Sequence, residues 1–358
     1  MDGKDIGEAF PMIGGHGPYS YSNNSSRQKR AAHDAKEILT RSIVESLDLE
    51  FHKRFSKTRI QIADLGCSVG PNTFIAMQNI IDAVQQKYEL SLGRDSNNLA
   101  EIQVLFNDHA SNDFTTLFLN LPNPRTYFAA GVPGSFRGRL FLSESLDIVH
   151  SSYALHWLSR APPEVCDLSS RLCNRGRIHY ANAPDEVGEA YGAQFAKDMK
   201  LFLAARSEEV RAGGILVALI PGRPDGVAAS KCSNGPLFWA LESCLVDMAN
   251  EGIVEMDEVN SFNLPIYTPS MAELRTLVEA NGCFTVEKLE LRPWRGETAP
   301  QLGSVECRTG MEGVLEKHFG REIIEPLFAR YENKVATMPL VDCEELAGNL
   351  FVLLKRNC

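Results

Sequence analysis

Ile60-Gln61-Ile62-Ala63-Asp64-Leu65-Gly66-Cys67-Ser68-Val69-Gly70-Pro71-Asn72-Thr73-Phe74-Ile75-Ala76-Met77 is the stretch on which the fold turns. Ile60 and Ile62 stand at strand spacing, and Gly66 and Gly70 supply a turn free of side chains. Thr73 is placed to cap a helix running to Tyr88. A strand that feeds a helix through glycines brings bare backbone to a ligand at the helix N-terminus. The spacing is Asp-x-Gly-x-x-x-Gly rather than the Gly-x-Gly-x-x-Gly of dinucleotide sites, and Asp64 would repel a pyrophosphate. A cationic small ligand fits better. Spacing alone leaves a second reading open, a tight strand-to-helix connection without any ligand.

Outward from this stretch, strands and helices alternate. Strands are expected at Glu101–Asp108, Phe128–Pro133, Ser145–Ser152, Ile215–Ile220, Phe284–Leu291 and Asn349–Arg356. Helices are expected over Arg27–Leu47, Asn112–Asn120, Glu186–Arg211 (stopped by Gly213-Gly214), Gly235–Glu251, Ser270–Ala280, Arg308–His318 and Arg321–Tyr331. Residues 1–10 read as a loose tail and Ser91–Ala100 as a polar loop, whereas Tyr19 and Tyr21 argue that the glycine-rich lead-in docks. The alternation predicts an α/β sheet covered on both faces, with long insertions after Ser152, Pro221 and Leu291 forming a helical cap over the strands' carboxyl ends. The expected division is 1–152 for the N-terminal segment and first half of the sheet domain, and 153–185 for a cap insertion. Residues 186–224 return to the sheet and 225–283 are cap helices; 284–293 is a sheet strand, 294–340 is cap, and 341–358 is the final strand.

A net charge of −10 removes the electrostatic footprint of a nucleic-acid or anionic-membrane binder. The longest apolar runs, such as Ile215–Pro221, fall far short of the ~20 residues a membrane span needs. Nine cysteines are scattered with no Cys-x-x-Cys pair, which argues against a zinc ribbon and for reduced thiols. With a polar, acidic N-terminus unlike a signal peptide, the expectation is a cytoplasmic protein.

Asp108 ends the second strand, about forty residues after Gly66, where an acid in doubly wound folds accepts ribose hydroxyls. A solubilising strand-end acid is the other reading. Asp64, Asp108 and the glycine turn together point to an adenosyl group without phosphates, with S-adenosylmethionine as the natural candidate. The Ser151-Ser152 pair lacks a Gly-x-Ser-x-Gly elbow, which argues against a hydrolase.

At these residues the chain resembles the plant SABATH methyltransferases. The shared motifs are Tyr19-Ser20-Tyr21-Ser22-x-Asn24-Ser25, Ala63-Asp64-Leu65-Gly66-Cys67-Ser68-x-Gly70-Pro71-Asn72-Thr73 and Phe106-Asn107-Asp108-x-x-x-Asn112-Asp113-Phe114. Further along come Gly131-Val132-Pro133-Gly134-Ser135-Phe136, Ser151-Ser152-Tyr153-x-Leu155-His156-Trp157-Leu158-Ser159 and Ser261-Phe262-Asn263-Leu264-Pro265. They run in family order through nearly the whole chain. Met12-Ile13-Gly14-Gly15 and Gly176-Arg177-Ile178-His179-Tyr180 look most like the farnesoic-acid and loganic-acid branch.

The resemblance implies a class I methyltransferase Rossmann-like sheet with a mostly helical cap, a homodimer, and transfer of methyl from S-adenosylmethionine to a small acid, leaving S-adenosylhomocysteine. It places Tyr21, Asp64, Gly66, Asn72, Asp108, His109, Ser135, Phe136 and Ser152 at the cosubstrate. It places Gln28, Tyr153, His156, Trp157, Phe238, Trp239 and Ile266 around the acid, with Gln28 and the Trp157 indole N–H as carboxylate donors. A carboxylate, with a pKa near ~4, is ionised at neutral pH and needs no base, so His156 is read as a shaping group. Apolar Phe238, Trp239 and Ile266 favour a terpenoid or aromatic acid. The alternatives are xanthine N-methylation, for which Gln28 is the wrong residue, and a non-catalytic binding protein, against which both Asp64 and Asp108 argue. Some members hold Mg²⁺ at the positions of Asn174, Asn260, Phe262 (by its carbonyl) and Asn263; Asn260 stands where the family often has Asp, and the lost carboxylate argues against the ion.

Overall fold

The computed structural model describes residues 11–49, 59–92, 100–231, 235–293, 300–338 and 348–357. The expected tail at 1–10, most of the Ser91–Ala100 loop and parts of the 294–340 and 341–358 stretches lie outside them, as do Cys232, Cys343 and Cys358.

Seven strands form one sheet: β1 (Arg59–Leu65), β2 (Glu101–Asp108), β3 (Phe128–Pro133), β4 (Leu146–Ser152), β5 (Val210–Gly222), β6 (Phe284–Pro293) and β7 (Gly348–Arg356), in the order β3-β2-β1-β4-β5-β7-β6. The first five are parallel; β7 runs antiparallel between β5 and β6. Period-two side-chain alternation builds a core on each face. Ile60, Ile62, Ile215, Val217 and Leu219 pack on one side. Ala63, Leu65, Leu216, Ala218 and Ile220 pack on the other.

The helices are α1 (Ser26–Asp34), α2 (Lys36–Ser46), α3 (Asn72–Leu92), α4 (Phe114–Leu119), α5 (Pro163–Cys166), α6 (Asp185–Glu209), α7 (Gly235–Asn250), α8 (Met256–Ser261), α9 (Met271–Asn281), α10 (Pro300–Phe319) and α11 (Ile324–Thr337). Buried residues of α2 and α3 cover one sheet face. α6 covers the other. A third core, under α7, α8, α10 and α11, makes a helical cap with its own interior. No helix among the described residues is long and apolar enough to cross a membrane.

Three expectations change. The helix expected over Arg27–Leu47 is interrupted at Ala35, although Ala35 N–H to Ala31 and Leu39 N–H to Ala35 carry the hydrogen-bond ladder across. Gly213-Gly214 does not stop α6. The helix passes directly into β5 at extended Val210, and both glycines lie within the strand, at an irregularity in its pairing with β4. A Cβ on Gly214 would meet the carbonyls of Arg211 and Asp147 at 3.0 Å, so the pair lets two backbones approach. Finally, α9 falls in the stretch expected to be cap, yet its Leu274, Leu277 and Val278 join the sheet core, because the helix packs on β6 and α6.

The parallel order reverses at β1, whose neighbours are β2 and β4, so the carboxyl ends of these strands open onto one crevice. Gly66 closes β1 with φ +83°, and a Cβ there would come 2.3 Å from the Ala154 Cβ in the loop after β4. Gly66→Ala should therefore destabilise the fold by roughly 2–4 kcal/mol, left-handed strain plus overpacking. Adding Ala154→Gly should recover the overpacking part. Urea unfolding of the wild type and the two variants measures this, and an unshifted midpoint for Gly66→Ala would contradict it.

Candidate active site

Strand register brings the first set of expected residues to one edge. Asp64 pairs opposite Phe106 and His150 in the neighbouring strands. It is 3% exposed. Its Oδ1 lies 2.7 Å from His150 Nδ1, and Oδ2 accepts from the Thr73 hydroxyl at the start of α3. Asp108, at the end of β2, accepts from the Ser68 N–H through Oδ2 and from the His109 N–H through Oδ1, each at 2.7 Å. Burial pushes the Asp108 carboxyl up to about 6 against those two bonds, and Asp64 adds to the rise. Burial and Arg137 lower the His109 imidazole. Tyr21 reaches this edge from the N-terminal segment, its hydroxyl 3.5 Å from Asn72 Nδ2. Asn72 Oδ1 and Ser68 Oγ are buried without partners. Ser135 and Phe136 follow β3, and Ser152 ends β4.

A second set gathers on the loop after β4. Tyr153, held at φ +55°, donates its hydroxyl to Asn349 Oδ1 at 2.5 Å. Its ring stands edge-on to His156 at 6.2 Å, and His156 lies 5.9 Å from the Trp157 ring. Trp157 pairs with Ile266 through the backbone, joining the loop to the cap. Gln28 lies on α1 beside Arg27, whose charge reaches both Tyr153 and His156. Gln28 Oε1 and His156 Nδ1 are buried and unpartnered. Burial holds the His156 imidazole down at about 3, with Arg27 adding to the effect. Phe238 is buried in the cap, 4.7 Å from the His179 ring. Trp239 differs from its neighbour. It is 48% exposed, with the Lys334 ammonium 5.8 Å from its ring, because α7 turns this position to the outside of the cap.

The model of the family described as SAM-dependent carboxyl methyltransferase matches residues 7–357. The chain is 43% identical to loganic acid O-methyltransferase of Catharanthus roseus, over 98% of this chain and 95% of that one. It is 37% identical to farnesoic acid carboxyl-O-methyltransferase of Arabidopsis thaliana, over 98% and 99%. The solved structure of loganic acid methyltransferase with SAH superposes with a TM-score of 0.90 at 40% identity, covering 97% of this chain and 99% of that one. The chain belongs to the S-adenosylmethionine-dependent carboxyl methyltransferase (SABATH) family. It is an enzyme that transfers methyl to a carboxylate oxygen.

The crevice residues fit that cosubstrate. Asn72 Oδ1 is an unpaired acceptor suited to an ammonium, and Asp108 is a carboxylate suited to a pair of hydroxyls. When bound, S-adenosylmethionine supplies a sulfonium-activated methyl group. The chain's residues must then orient a nucleophile and exclude water.

The positions expected for magnesium do not fit the ion. Asn260 Oδ1 accepts from the Gly176 N–H at 2.8 Å. Asn263 Oδ1 accepts from Asn174 Nδ2 at 2.9 Å and from the Tyr191 hydroxyl at 3.3 Å. Asn174 thus turns its NH₂, not its oxygen, toward Asn263, and Phe262 packs its ring on His318 and Phe319. The side-chain set is neutral, and the Asn260 and Asn263 oxygens are engaged, unlike a hard-cation site. Among the described residues no group of three or more His, Cys, Asp or Glu gathers to hold a metal.

Sequence reasoning missed His150, Asn349 and Arg137, and it took Thr73 for a helix cap, whereas Thr73 lies inside α3 and gives its hydroxyl to Asp64. His150 had a usable signal, since it stands in register beside Asp64 once β1 and β4 are aligned. Asn349 had none, because 196 positions separate it from Tyr153.

Two outcomes follow from this geometry. The raised Asp108 pKa means the free protein loses its carboxylate as pH falls through about 6. Ribose hydroxyls donate to the ionised form, so S-adenosylmethionine affinity should be flat above pH 6 and fall up to about tenfold per unit below it. Calorimetry across pH 4.5–8 checks this, with Asp108→Asn removing the dependence. Activity should also be unchanged in excess chelator; a large loss restored by Mg²⁺ would show that the amide cluster rearranges to take the ion.

Proposed function

We propose that this enzyme forms the methyl ester of a small, largely apolar carboxylic acid held between Gln28 and Trp157. The observation that carries the reading is the pair of buried, unpartnered polar atoms, Gln28 Oε1 and His156 Nδ1, beside a mainly apolar wall of Tyr153, Trp157, Phe238 and Ile266. An unsatisfied buried polar atom costs about 1–3 kcal/mol unless a ligand supplies its partner. A carboxylate turns the Gln28 amide about and takes its NH₂, while the Trp157 indole offers only N–H. Neutral donors orient the anion without quenching its nucleophilicity, so interaction strengthens little in the ground state. His156, held near 3, stays neutral at working pH and is no general base. Free thiols at the described cysteines support a cytoplasmic setting. We take the assembly to be a homodimer, which sedimentation velocity tests.

Incubating the enzyme with S-adenosylmethionine and a panel of loganic, farnesoic and aromatic acids, with xanthines included, identifies the acceptor by mass spectrometry. N-methylated xanthine without any ester would overturn the reading.

Gln28→Leu and Trp157→Phe should each lower kcat on the order of 100-fold by misplacing the nucleophile, with S-adenosylmethionine binding nearly normal. Because both donors serve one anion, the double variant should lose less than the product of the two factors. At saturating cosubstrate, kcat should be flat from pH 6 to 9. Strict additivity, or a rate rising with a histidine-like pKa, would count against the scheme.

A further inference from the structure

We propose that Arg137 is a positioning residue, bracing the loop that carries Trp157 against the loop that carries Ser135 and Phe136. The inference rests on the reading of Trp157 as carboxylate donor and of Ser135 and Phe136 as part of the cosubstrate seat, and it deepens both.

Arg137 follows Phe136 directly, and its side chain is 6% exposed. Its Nη2 donates to the Trp157 carbonyl at 2.6 Å, and its Nε lies 3.5 Å from Asp198 Oδ2 on α6. That Nε contact is an ion pair without hydrogen-bond geometry. Asp198 in turn accepts from the Ser159 N–H at 2.6 Å and the Ser159 hydroxyl at 2.8 Å. Gln194 holds Asp198 Oδ1 from the same helix at 3.0 Å. The ion pair therefore straddles Trp157-Leu158-Ser159, its cation on the first carbonyl and its anion on the last N–H.

The other loop is tied to the same helix. Arg206 donates to the Phe136 carbonyl at 2.8 Å and the Gly138 carbonyl at 2.9 Å, while Glu209 accepts from the Leu140 and Phe141 N–H groups. Arg206 and Glu209 pair at 2.6 Å with both side chains fully buried. Both loops are thus referenced to α6, one at Asp198 and one at Arg206, and Arg137 links the first loop's Trp157 carbonyl to the second loop's backbone. A guanidinium suits this place because its planar fork meets a carbonyl and a carboxylate at once, which a lysine ammonium does less rigidly. Burying a charge pair is a poor way merely to stabilise a fold, since apolar replacements often do as well. Its distinctive product here is the fixed register of Trp157 relative to the Ser135-Phe136 seat.

Fluorine NMR of protein labelled with 5-fluorotryptophan tests this, with the Trp157 line assigned by Trp157→Phe. The wild type should give one narrow Trp157 line that moves when S-adenosylhomocysteine is added. Arg137→Met should broaden or split that line, with S-adenosylhomocysteine affinity within about threefold of wild type, and Arg137→Lys should restore part of the line shape. With the acid found in the panel, kcat should fall about 10- to 100-fold in Arg137→Met. A merely structural role would lower the melting temperature yet leave the line and the kcat per ligand-binding molecule unchanged, and that result would overturn the proposal. Where Arg137→Met does not fold, Asp198→Asn is read by the same criteria. A wild type that binds no S-adenosylhomocysteine would fail the methyltransferase reading itself, while the line shape of the free protein still judges the brace.

Discussion

A carboxylate buried where two strands meet is the constraint around which this molecule is arranged. Asp64 lies at the end of β1, and taking its charge out of water is costly unless every oxygen finds a donor. Those donors come from two other elements, His150 on β4 and Thr73 at the head of α3. Satisfying one side chain thus ties β1 to β4 at its carboxyl edge and to the first turn of α3. Asp108 repeats the device on β2 with two backbone N–H groups. The crevice is ready for a cationic, hydroxylated ligand because the fold needs those acids held still in any case.

The two halves of the site have different electrostatic characters. Carboxylates and amide oxygens line the strand ends. The loop after β4 carries neutral polar groups, an indole, a phenol used up by Asn349 and an imidazole that burial keeps unprotonated, and α1 adds the Gln28 amide beside the charged Arg27. Asp64 and Asp108 bring acidic groups to the strand ends, whereas Arg27 on α1 brings positive charge to Tyr153 and His156. The cap continues the neutral side inward. His179, also held near 3, accepts from the Ala181 N–H at Nδ1 and points Nε2 at the Ile266 carbonyl. The Asn174–Asn263–Tyr191 bonds tie two cap segments to α6.

Much of this was legible in the sequence, wherever the cause is local. Alternating Ile60, Ile62 and Ile215–Ile220 read as strands because side-chain direction reverses at each residue. The Asp64–Gly70 turn read as a ligand seat because glycines there have a steric reason. Distant contacts were illegible. Gly213-Gly214 spells a helix stop, and only the neighbouring β4 makes it an in-strand irregularity. Phe238 and Trp239 are equally apolar on paper, and only the direction of α7 sends one inward and the other out. The roles proposed for Gln28 and Trp157, which periodicity could not supply, come from the family resemblance. Arg137 directly follows the Gly131–Phe136 motif, but its partners are the Trp157 carbonyl and Asp198 on α6, distant in sequence, and such partners leave no pattern there.

The place of β7 bears on how the chain is made. Residues 348–356 come after every other described element, yet they lie inside the sheet between β5 and β6. Leu350, Val352 and Leu354 complete one hydrophobic face, while Phe351 and Leu353 complete the other. During synthesis, β5 therefore waits with an open edge while well over a hundred residues emerge, a long-range closure of the kind that slows folding and exposes strand edges to aggregation. The same late segment brings Asn349 to the Tyr153 hydroxyl. A ribosome-bound chain can thus display the crevice acids early, but the pocket's tyrosine is anchored only when the last strand slides home.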